Sequence, residues 1–202
     1  YQTTVAGLNP AAYWRLNAVN ETSLIGSYTS TWQNGLGVTP DGGGAPLASE
    51  PANRGANFNS ASRHSITTSF TDPLATAGTL AGWIKLATLP TGTVYLFGKS
   101  AGGNDLDVQI ESDQKLHFFT GGGNQINAAP TGGFLAGQWY FVAVTFDNAG
   151  GGSKAIYFNG AVALANTGSP GRGPSSSPFT IGDSSVFSGR FFNGVIDEVA
   201  DR

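Results

Sequence analysis

Short apolar segments separated by glycine-rich turns constrain the fold of this chain more than any other feature. The segments recur about every 10 to 16 positions, and glycine runs at 42–44, 121–123 and 150–152 lie between them. Glycine adopts the positive φ angles that tight reversals need. No segment has a dozen residues with the apolar i, i+3, i+4 spacing of an amphipathic helix. The pattern predicts about a dozen sequential strands in antiparallel sheets, with helix as a minor component.

Three segments make this prediction specific. Asn159-Gly160 separates two apolar runs, and this pair tolerates the positive φ angles of a type I′ turn, which predicts a two-residue hairpin. In residues 139–146 both alternating sets of side chains are apolar or amphipathic, which predicts a central strand covered on both faces. In residues 105–111 polar and apolar side chains alternate, which predicts one face in water and one in the core.

Composition excludes several classes of function. The chain has no cysteine, so it has no disulfide, no thiolate nucleophile and no zinc-cysteine site. Its 10 basic residues are scattered and its net charge is -3, which makes nucleic acid an unexpected partner. The longest apolar stretch is far shorter than the roughly 20 residues of a membrane-spanning helix. We expect one domain over residues 1–202, with residues 21–51 forming a long excursion over its surface.

Six motifs in order resemble the laminin-G-like, concanavalin A-like jelly-roll domains. They are the segments Ala-Tyr-Trp-Arg-Leu-Asn at 12–17, Leu-Ala-Gly-Trp-Ile-Lys at 80–85, Gly-Gln-Trp-Tyr-Phe-Val-Ala-Val-Thr-Phe-Asp at 137–147, Ile-Tyr-Phe-Asn-Gly at 156–160, Phe-Thr-Ile-Gly at 179–182 and Phe-Asn-Gly-Val-Ile-Asp-Glu-Val at 192–199. The resemblance implies an all-β antiparallel sandwich of two curved sheets. It implies function only loosely, because this superfold hosts lectins, glycan-binding modules, glycosidases, adhesion modules and structural units.

The end of the chain departs from the family pattern. Relatives usually continue past Asp-Glu-Val into an aromatic residue and a further tail, whereas this sequence runs Ala200-Asp201-Arg202. Two alternatives follow: either the last strand is shortened, or the domain is an excerpt of a longer protein, which favours a module over a free-standing enzyme.

The resemblance also raises the question of glycosidase activity. Glucanases of this superfold carry Glu-x-Asp-x-x-Glu on one strand, with two carboxylates flanking the scissile bond. Here Glu111 and Asp113 match the first half and Leu116 stands in place of the second glutamate. We therefore expect no catalytic residues, with Asp113 as a turn residue and His64 and His117 as ordinary strand residues.

Calcium is the one metal with support in the sequence. Asp197 matches the position at which many relatives place a structural Ca²⁺ ligand, and Ca²⁺ accepts mixed carboxylate and carbonyl oxygens. The alternative is that Asp197 accepts hydrogen bonds from neighbouring backbone amides. A second acidic group, Asn104, Asp105 and Asp107, is better explained as a solvated strand face.

A sugar-binding site needs aromatic faces that stack on pyranose rings and amides or carboxylates that bond hydroxyls. Trp14, Trp83 and Trp139 lie inside family strand motifs, which predicts positions in the core or at its edge. Trp32, near Tyr28, lies in the loop-like excursion and is either a stacking platform or an anchor that pins the loop.

Four loop residues complete the candidate ligand site. The polar side chains that flank glycine runs and could converge at one rim are those of Asn104, Asp105, Asn124 and Gln125.

These observations favour a non-catalytic extracellular or surface-associated module, secreted or on a virion, that binds a glycan or glycoprotein. One alternative is a structural unit of a surface fibre, virion or multi-domain adhesin that assembles with copies of itself and binds no sugar. A degenerate glycosidase-like domain is the second alternative.

Overall fold

The computed structural model describes residues 1–71, 76–100, 106–121, 124–168, 176–187 and 189–202. One short helix, α1 (Gln2–Gly7), and a 3₁₀ turn at Ala149–Gly151 accompany the strands. The strands are β1 Ala12–Trp14, β2 Ser30–Trp32, β3 Gly37–Val38, β4 Ala56–Phe58, β5 Ile66–Thr68, β6 Ala77–Leu86, β7 Val94–Lys99, β8 Leu106–Ile110, β9 Leu116–Phe119, β10 Gln125–Ala128, β11 Trp139–Asp147, β12 Ser153–Phe158, β13 Ala161–Thr167, β14 Thr180–Ile181 and β15 Gly194–Asp201.

The strands form two antiparallel sheets, as the sequence pattern predicts. The larger sheet has eight strands in the order β13-β12-β11-β6-β15-β4-β3, with β1 also paired to β15. The smaller sheet has seven strands in the order β10-β9-β8-β7-β14-β5-β2. The long strands β6 and β11 each turn one row of side chains toward the facing sheet, because successive side chains in a strand point to opposite sides. The all-β sandwich is therefore confirmed.

The core lies between the sheets. Trp14 is fully buried there and stacks on Phe179, with ring centroids 5.5 Å apart and planes 12° apart. Val142 and Val144 of β11 and Ile84 of β6 are also fully buried. Such alternation along long strands buries one face of each sheet, which is the main source of stability in a sandwich.

The hairpin predicted at Asn159-Gly160 is confirmed. Phe158 of β12 pairs with Ala161 of β13, and the two intervening residues have φ angles of 52° and 84°. Both angles are positive, as a type I′ turn requires.

Two predictions about strand faces need correction. Strand β11 is central, but its outward residues Trp139, Phe141 and Ala143 are only half-buried, so its outer face is partly open. On β8 the outward residues Asp107 and Gln109 are 2% and 3% exposed, because the segment after β14 covers them. The expectation that this face lies in water was wrong for these two residues.

The region 21–51 also does more than cross the surface. It supplies the edge strand β2 to the smaller sheet and the edge strand β3 to the larger one. Leu36, Ala45 and Leu47 from this region are buried. The excursion is thus part of the sandwich itself.

Two connections between the sheets close the same end of the sandwich. Residues 87–93 lead from β6 in the larger sheet to β7 in the smaller one, and a second segment leads back from β14 to β15. The backbone N–H of Ala87 donates to the carbonyl of Asn193 at 3.0 Å, which joins the two crossings. In the part of the chain that the structure describes, no helix is long and apolar enough to cross a membrane.

Candidate functional site

A network of polar side chains lies on the outer face of the seven-stranded sheet, where β8, β9 and β10 are neighbours. His117 of β9 is at its centre. The His117 Nδ1 atom lies 2.7 Å from Gln125 Oε1, and its Nε2 atom lies 3.0 Å from Asp113 Oδ1. Asn127 is the register partner of His117 on β10, and Gln125 is the partner of Phe119, so the two strands place these side chains side by side.

The network continues across β8 to the segment that follows β14. Gln109 Nε2 donates to Glu111 Oε1 at 2.9 Å, and that carboxylate lies 3.6 Å from His117 Nδ1. Arg190 Nη1 donates to Gln109 Oε1 at 2.7 Å, although the two residues are 81 positions apart. We call these six side chains the His117 network: Gln109, Glu111, Asp113, His117, Gln125 and Arg190.

The His117 network has a recessed base and an open rim. The Gln109 and His117 residues at the base are 3% and 5% exposed. On the rim, the side chains of Glu111 and Asp113 are 30% and 43% exposed, and Gln125 is exposed as well. A ligand can therefore reach carboxylate and amide groups that the base holds in fixed positions.

Aromatic rings border the network on both sides. Phe119 stacks on the imidazole of His117, with ring centroids 6.3 Å apart and planes 19° apart. The Arg190 guanidinium lies 4.1 Å from the ring of Phe187, which is 36% exposed. Amides and carboxylates can hydrogen-bond sugar hydroxyls, and partly exposed aromatic rings can pack against sugar C–H groups. The His117 network and its borders contain both kinds of group.

The comparison with protein families agrees with this architecture. A laminin-G-like family model, described as the concanavalin A-like lectin/glucanases superfamily, matches residues 56–200. The chain belongs to the concanavalin A-like lectin/glucanase superfamily. The resemblance seen in the sequence motifs is thereby confirmed.

Solved structures show the same fold at low sequence identity. Domain 4 of AbnA, a GH43 extracellular arabinanase from Geobacillus stearothermophilus solved with arabinotriose, is 18% identical, with a TM-score of 0.69 over 95% of this chain and 91% of that chain. Trypanosoma rangeli sialidase is 14% identical, with a TM-score of 0.64 over 94% of this chain and 30% of that one. A pentraxin from Limulus polyphemus is 19% identical, with a TM-score of 0.51 over 65% of each chain. Among curated proteins, none matches this sequence significantly.

The superfamily hosts both lectins and glucanases, so the glucanase-like positions of this chain are informative. Glu111 and Asp113 are on the outer face, but Leu116 is fully buried in the core. Its neighbour His117 occupies the outer face instead. The second carboxylate of the glucanase pattern is therefore absent from the β8–β9 hairpin, and the next residue, His117, is the one that faces outward.

Two of the sequence-predicted ligand residues lie at the network. Gln125 is part of it. Asn124 precedes Gln125, and its backbone carbonyl accepts hydrogen bonds from Thr120 N and Lys154 Nζ, both at 3.0 Å. Asn104 and Asp105 lie outside the described residues.

Trp32 and Tyr28 are at a different place. Trp32 is 8% exposed, pairs with Ile66 on β5, and donates from Nε1 to Ser30 Oγ at 3.0 Å. The prediction of an exposed stacking platform was wrong for Trp32, because strand pairing turns its ring into the core, and the anchor alternative agrees with the structure. Tyr28 is partly buried against Phe70, with centroids 4.8 Å apart.

The other tryptophans divide into two groups. Trp14 is in the core, as predicted. Trp83 and Trp139 are half-buried on the outer face of the eight-stranded sheet. The ring centroids of Trp83 and Phe141 are 5.4 Å apart, and Lys85 Nζ lies 4.8 Å from the centroid of the Trp139 ring.

Asp197 is fully buried on β15. Its Oδ2 accepts hydrogen bonds from Ala45 N at 2.8 Å and from Asn53 Nδ2 at 2.6 Å, whereas its Oδ1 has no hydrogen-bond partner. Burial raises the pKa of Asp197 to about 8, and the neighbouring Glu198 carboxylate adds to the rise. The backbone-bonded alternative thus describes one of its two oxygens.

The second oxygen bears on the calcium prediction. Ca²⁺ takes about six to eight oxygen ligands, and Asp197 Oδ1 is one unpartnered candidate. Among the described residues, no three acidic or histidine side chains are grouped as a metal site, so backbone carbonyls would have to supply the remaining ligands. Calcium at Asp197 stays a prediction.

Of the six side chains in the His117 network, the sequence analysis predicted only Gln125 as a ligand residue. It assigned Asp113 to a turn and His117 to an ordinary strand position, and it gave Gln109 and Arg190 no role in binding. Gln109 carried a usable signal, because it shares the polar side of the alternating segment 105–111 with Glu111. Arg190 carried none, because its partner is fixed only by the crossing from β14 to β15.

Proposed function

We propose that this protein is a non-catalytic carbohydrate-binding module that acts outside the cell or at a surface and recognises a glycan or glycoprotein. The observation that carries the proposal is the His117 network, with its recessed base and accessible rim of amide and carboxylate groups. Side chains already held in place lose little conformational entropy when a ligand binds, which favours recognition of a hydroxyl-rich molecule.

The relatives support the carbohydrate part of this proposal. Domain 4 of the arabinanase was solved in complex with arabinotriose, and this chain covers 91% of it. That arabinanase is described as extracellular, which supports the proposed location.

The non-catalytic part rests on the composition of the outer face. A glycosidase places two carboxylates on opposite sides of the scissile bond. Here Glu111 and Asp113 come from the same β8–β9 hairpin, and Leu116 faces the core. We expect no release of reducing ends when the protein is incubated with the oligosaccharides that it binds.

Titration calorimetry with trisaccharides tests the binding function. The panel contains arabinotriose, cellotriose and maltotriose as neutral probes and trigalacturonate as an acidic probe. The test variant is Gln125→Ala, because Gln125 is exposed and its side chain contacts His117. The matched control is Asn166→Ala, an exposed amide on β13 of the other sheet.

The expected result is binding of at least one neutral trisaccharide, about tenfold weaker for Gln125→Ala, since one lost hydrogen bond of about 1.4 kcal/mol is a factor of ten. Asn166→Ala should bind like the unmodified protein. Equal affinities for the two variants would place the site elsewhere, and no binding by the unmodified protein to the whole panel would remove the proposal.

Strand β13 supports a second candidate function, that of a structural unit which assembles with copies of itself. It is the edge of the eight-stranded sheet, all seven residues are exposed, and Val162 is 60% exposed. The strand Ala-Val-Ala-Leu-Ala-Asn-Thr has no charge or proline, which are the usual protections against edge-to-edge pairing. Sedimentation of the protein and of Val162→Lys tests it: a concentration-dependent dimer that Val162→Lys abolishes supports assembly, and a monomer in both contradicts it.

A further inference from the structure

A cavity beside the His117 network extends the proposed site. It has a volume of about 480 Å³ and lies at the end of the sandwich where the two connections cross between the sheets. Residues 88–94 form one wall, and Gly189, Phe191 and Asn193 form part of the other. Cavities that hold small ligands have volumes of about 300 to 1,000 Å³, so this one can hold a single sugar residue with room to spare.

The chemistry of the lining indicates the kind of ligand. The lining residues in the described part of the chain include four hydroxyl side chains, one amide and several apolar groups such as Leu86, Val94 and Phe191, and none of them is charged. A charged ligand would lose hydration there without gaining an ionic partner, which costs free energy. A neutral molecule with both hydroxyl and C–H surfaces suits this lining.

The wall of the cavity and the His117 network are linked at two places. Arg190, which donates to Gln109 in the network, is flanked in sequence by the cavity residues Gly189 and Phe191. Gln114, in the turn of the β8–β9 hairpin, donates from Nε2 to the carbonyl of Pro90 in the cavity wall. These two links place the cavity next to the network.

We infer that the cavity beside residues 88–94 is a second subsite, which takes one neutral sugar residue of an oligosaccharide whose following residues contact the His117 network. This inference rests on the proposed function and narrows it to neutral oligosaccharides of at least two residues. Acidic sugars, such as uronic or sialic acids, do not suit the uncharged lining.

Gly92 offers a way to fill the cavity without disturbing the fold. It lines the cavity, its φ angle is not in the left-handed region, and a Cβ added there would meet no heavy atom within 4 Å. Gly92→Tyr adds a bulky ring to the lining of the cavity, where it would compete with a sugar for the space. Gly92→Ala makes the same backbone change without the ring and is the matched control.

Titration calorimetry with the trisaccharide panel compares these two variants with Gln125→Ala, after thermal melting has shown that the two Gly92 variants unfold at the same temperature. We expect Gly92→Tyr to bind the neutral trisaccharide about tenfold more weakly than Gly92→Ala. Trigalacturonate should bind more weakly than the neutral probes.

Each other outcome has a defined meaning. Equal affinities of Gly92→Tyr and Gly92→Ala, with weakened binding by Gln125→Ala, overturn the cavity subsite and leave the proposed function intact. Trigalacturonate binding as tightly as the neutral probes overturns the assignment of a neutral ligand. Absence of binding by the unmodified protein overturns both the subsite and the proposed function.

Discussion

The two sheets of the sandwich each carry a cluster of charged and polar side chains, and the clusters differ in what covers them. On the seven-stranded sheet the His117 network is open along its rim, with the Asp113 side chain 43% exposed. On the eight-stranded sheet Arg15 donates to Glu198 from Nε at 3.1 Å and from Nη2 at 3.0 Å, and the Glu198 side chain is fully buried. We call the second group the Arg15 cluster: Arg15, Glu50, Asn53, Asp197 and Glu198.

The difference lies in how the polar groups of each cluster are satisfied. In the Arg15 cluster the protein itself supplies the partners: Tyr13 donates its hydroxyl to Glu198, Gln2 Oε1 accepts from Arg15 at 3.0 Å, and Glu50 pairs with Arg15. These contacts fix the packing of β1 against β15, and they close the Arg15 cluster except at Asp197 Oδ1. In the His117 network the exposed oxygens of Glu111 and Asp113 retain capacity for a ligand. Similar side chains thus form a closed structural cluster on one sheet and an open cluster, the proposed recognition site, on the other.

The largest effect is expected from Arg15→Met. Removing the guanidinium leaves the buried Glu198 carboxylate without its cation, and breaking a buried ion pair in this way costs about 3 to 5 kcal/mol of unfolding free energy. Urea denaturation measures the loss, with Arg63→Met as control because Arg63 is an exposed arginine. A loss below about 1 kcal/mol would show that the Arg15 cluster contributes little to stability, contrary to the structural role assigned to it.

Calcium would change the comparison by adding a ligand to the closed cluster. Binding at Asp197 predicts stabilisation by about 2.7 kcal/mol at a free calcium concentration 100 times the dissociation constant. Thermal melting with calcium and with chelator measures it, and Asp197→Asn should not respond. An unchanged midpoint in the unmodified protein would leave the hydrogen bonds from Ala45 and Asn53 as the account of Asp197.

Lys154 extends the comparison of the two clusters to a buried charge that belongs to neither of them. Its Nζ donates to the backbone carbonyl of Asn124 at 3.0 Å. It is 2% exposed, and burial lowers its pKa from 10.5 to about 8. The folded state therefore binds the proton more weakly than the unfolded chain, and stability should rise as pH increases from about 8 to about 10.

Replacing this lysine should therefore stabilise the protein near neutral pH. Lys154→Met removes the cost of burying the charge and should raise the unfolding free energy at pH 7 by about 1 to 2 kcal/mol. It should also remove this part of the pH dependence of stability. Urea denaturation at pH 7 and pH 10 measures both effects, with the exposed Lys115→Met as control. Destabilisation at pH 7 would mean that the hydrogen bond to Asn124 outweighs the cost of burial.

The smallest effect on stability is expected at the open rim. Asp113→Ala should change the unfolding free energy by less than about 0.5 kcal/mol, because exposed hydrogen bonds and ion pairs contribute little. Its effect on trisaccharide affinity should exceed its effect on stability. A variant that binds normally but unfolds easily would give Asp113 a structural role like that of Glu198.

Local sequence signals predicted the parts of the fold that depend on neighbouring residues. Asn159-Gly160 specified its hairpin because both residues accept positive φ angles, and β12 and β13 are adjacent in sequence. At the candidate site, Gln125 was predicted from its place beside a glycine run, and it contacts His117 eight positions earlier in the neighbouring strand.

Predictions failed where a distant strand or segment decides which way a side chain faces. Trp32 was open to two interpretations until pairing of β2 with β5 turned it inward. Asp107 and Gln109 alternate as a solvated face would, but Ser100, which bonds Ser184, and Arg190 cover them.

The sequence by itself determined the antiparallel sandwich and its superfamily, because alternation, turn residues and strand motifs act over short spans of the chain. Only the tertiary structure decided which polar clusters are open or closed. Arg15 and Glu198 are 183 positions apart, and Gln109 and Arg190 are 81 apart. Their contacts depend on strand order and on the path of the connections between sheets, and both are set by packing of the whole core rather than by any one segment.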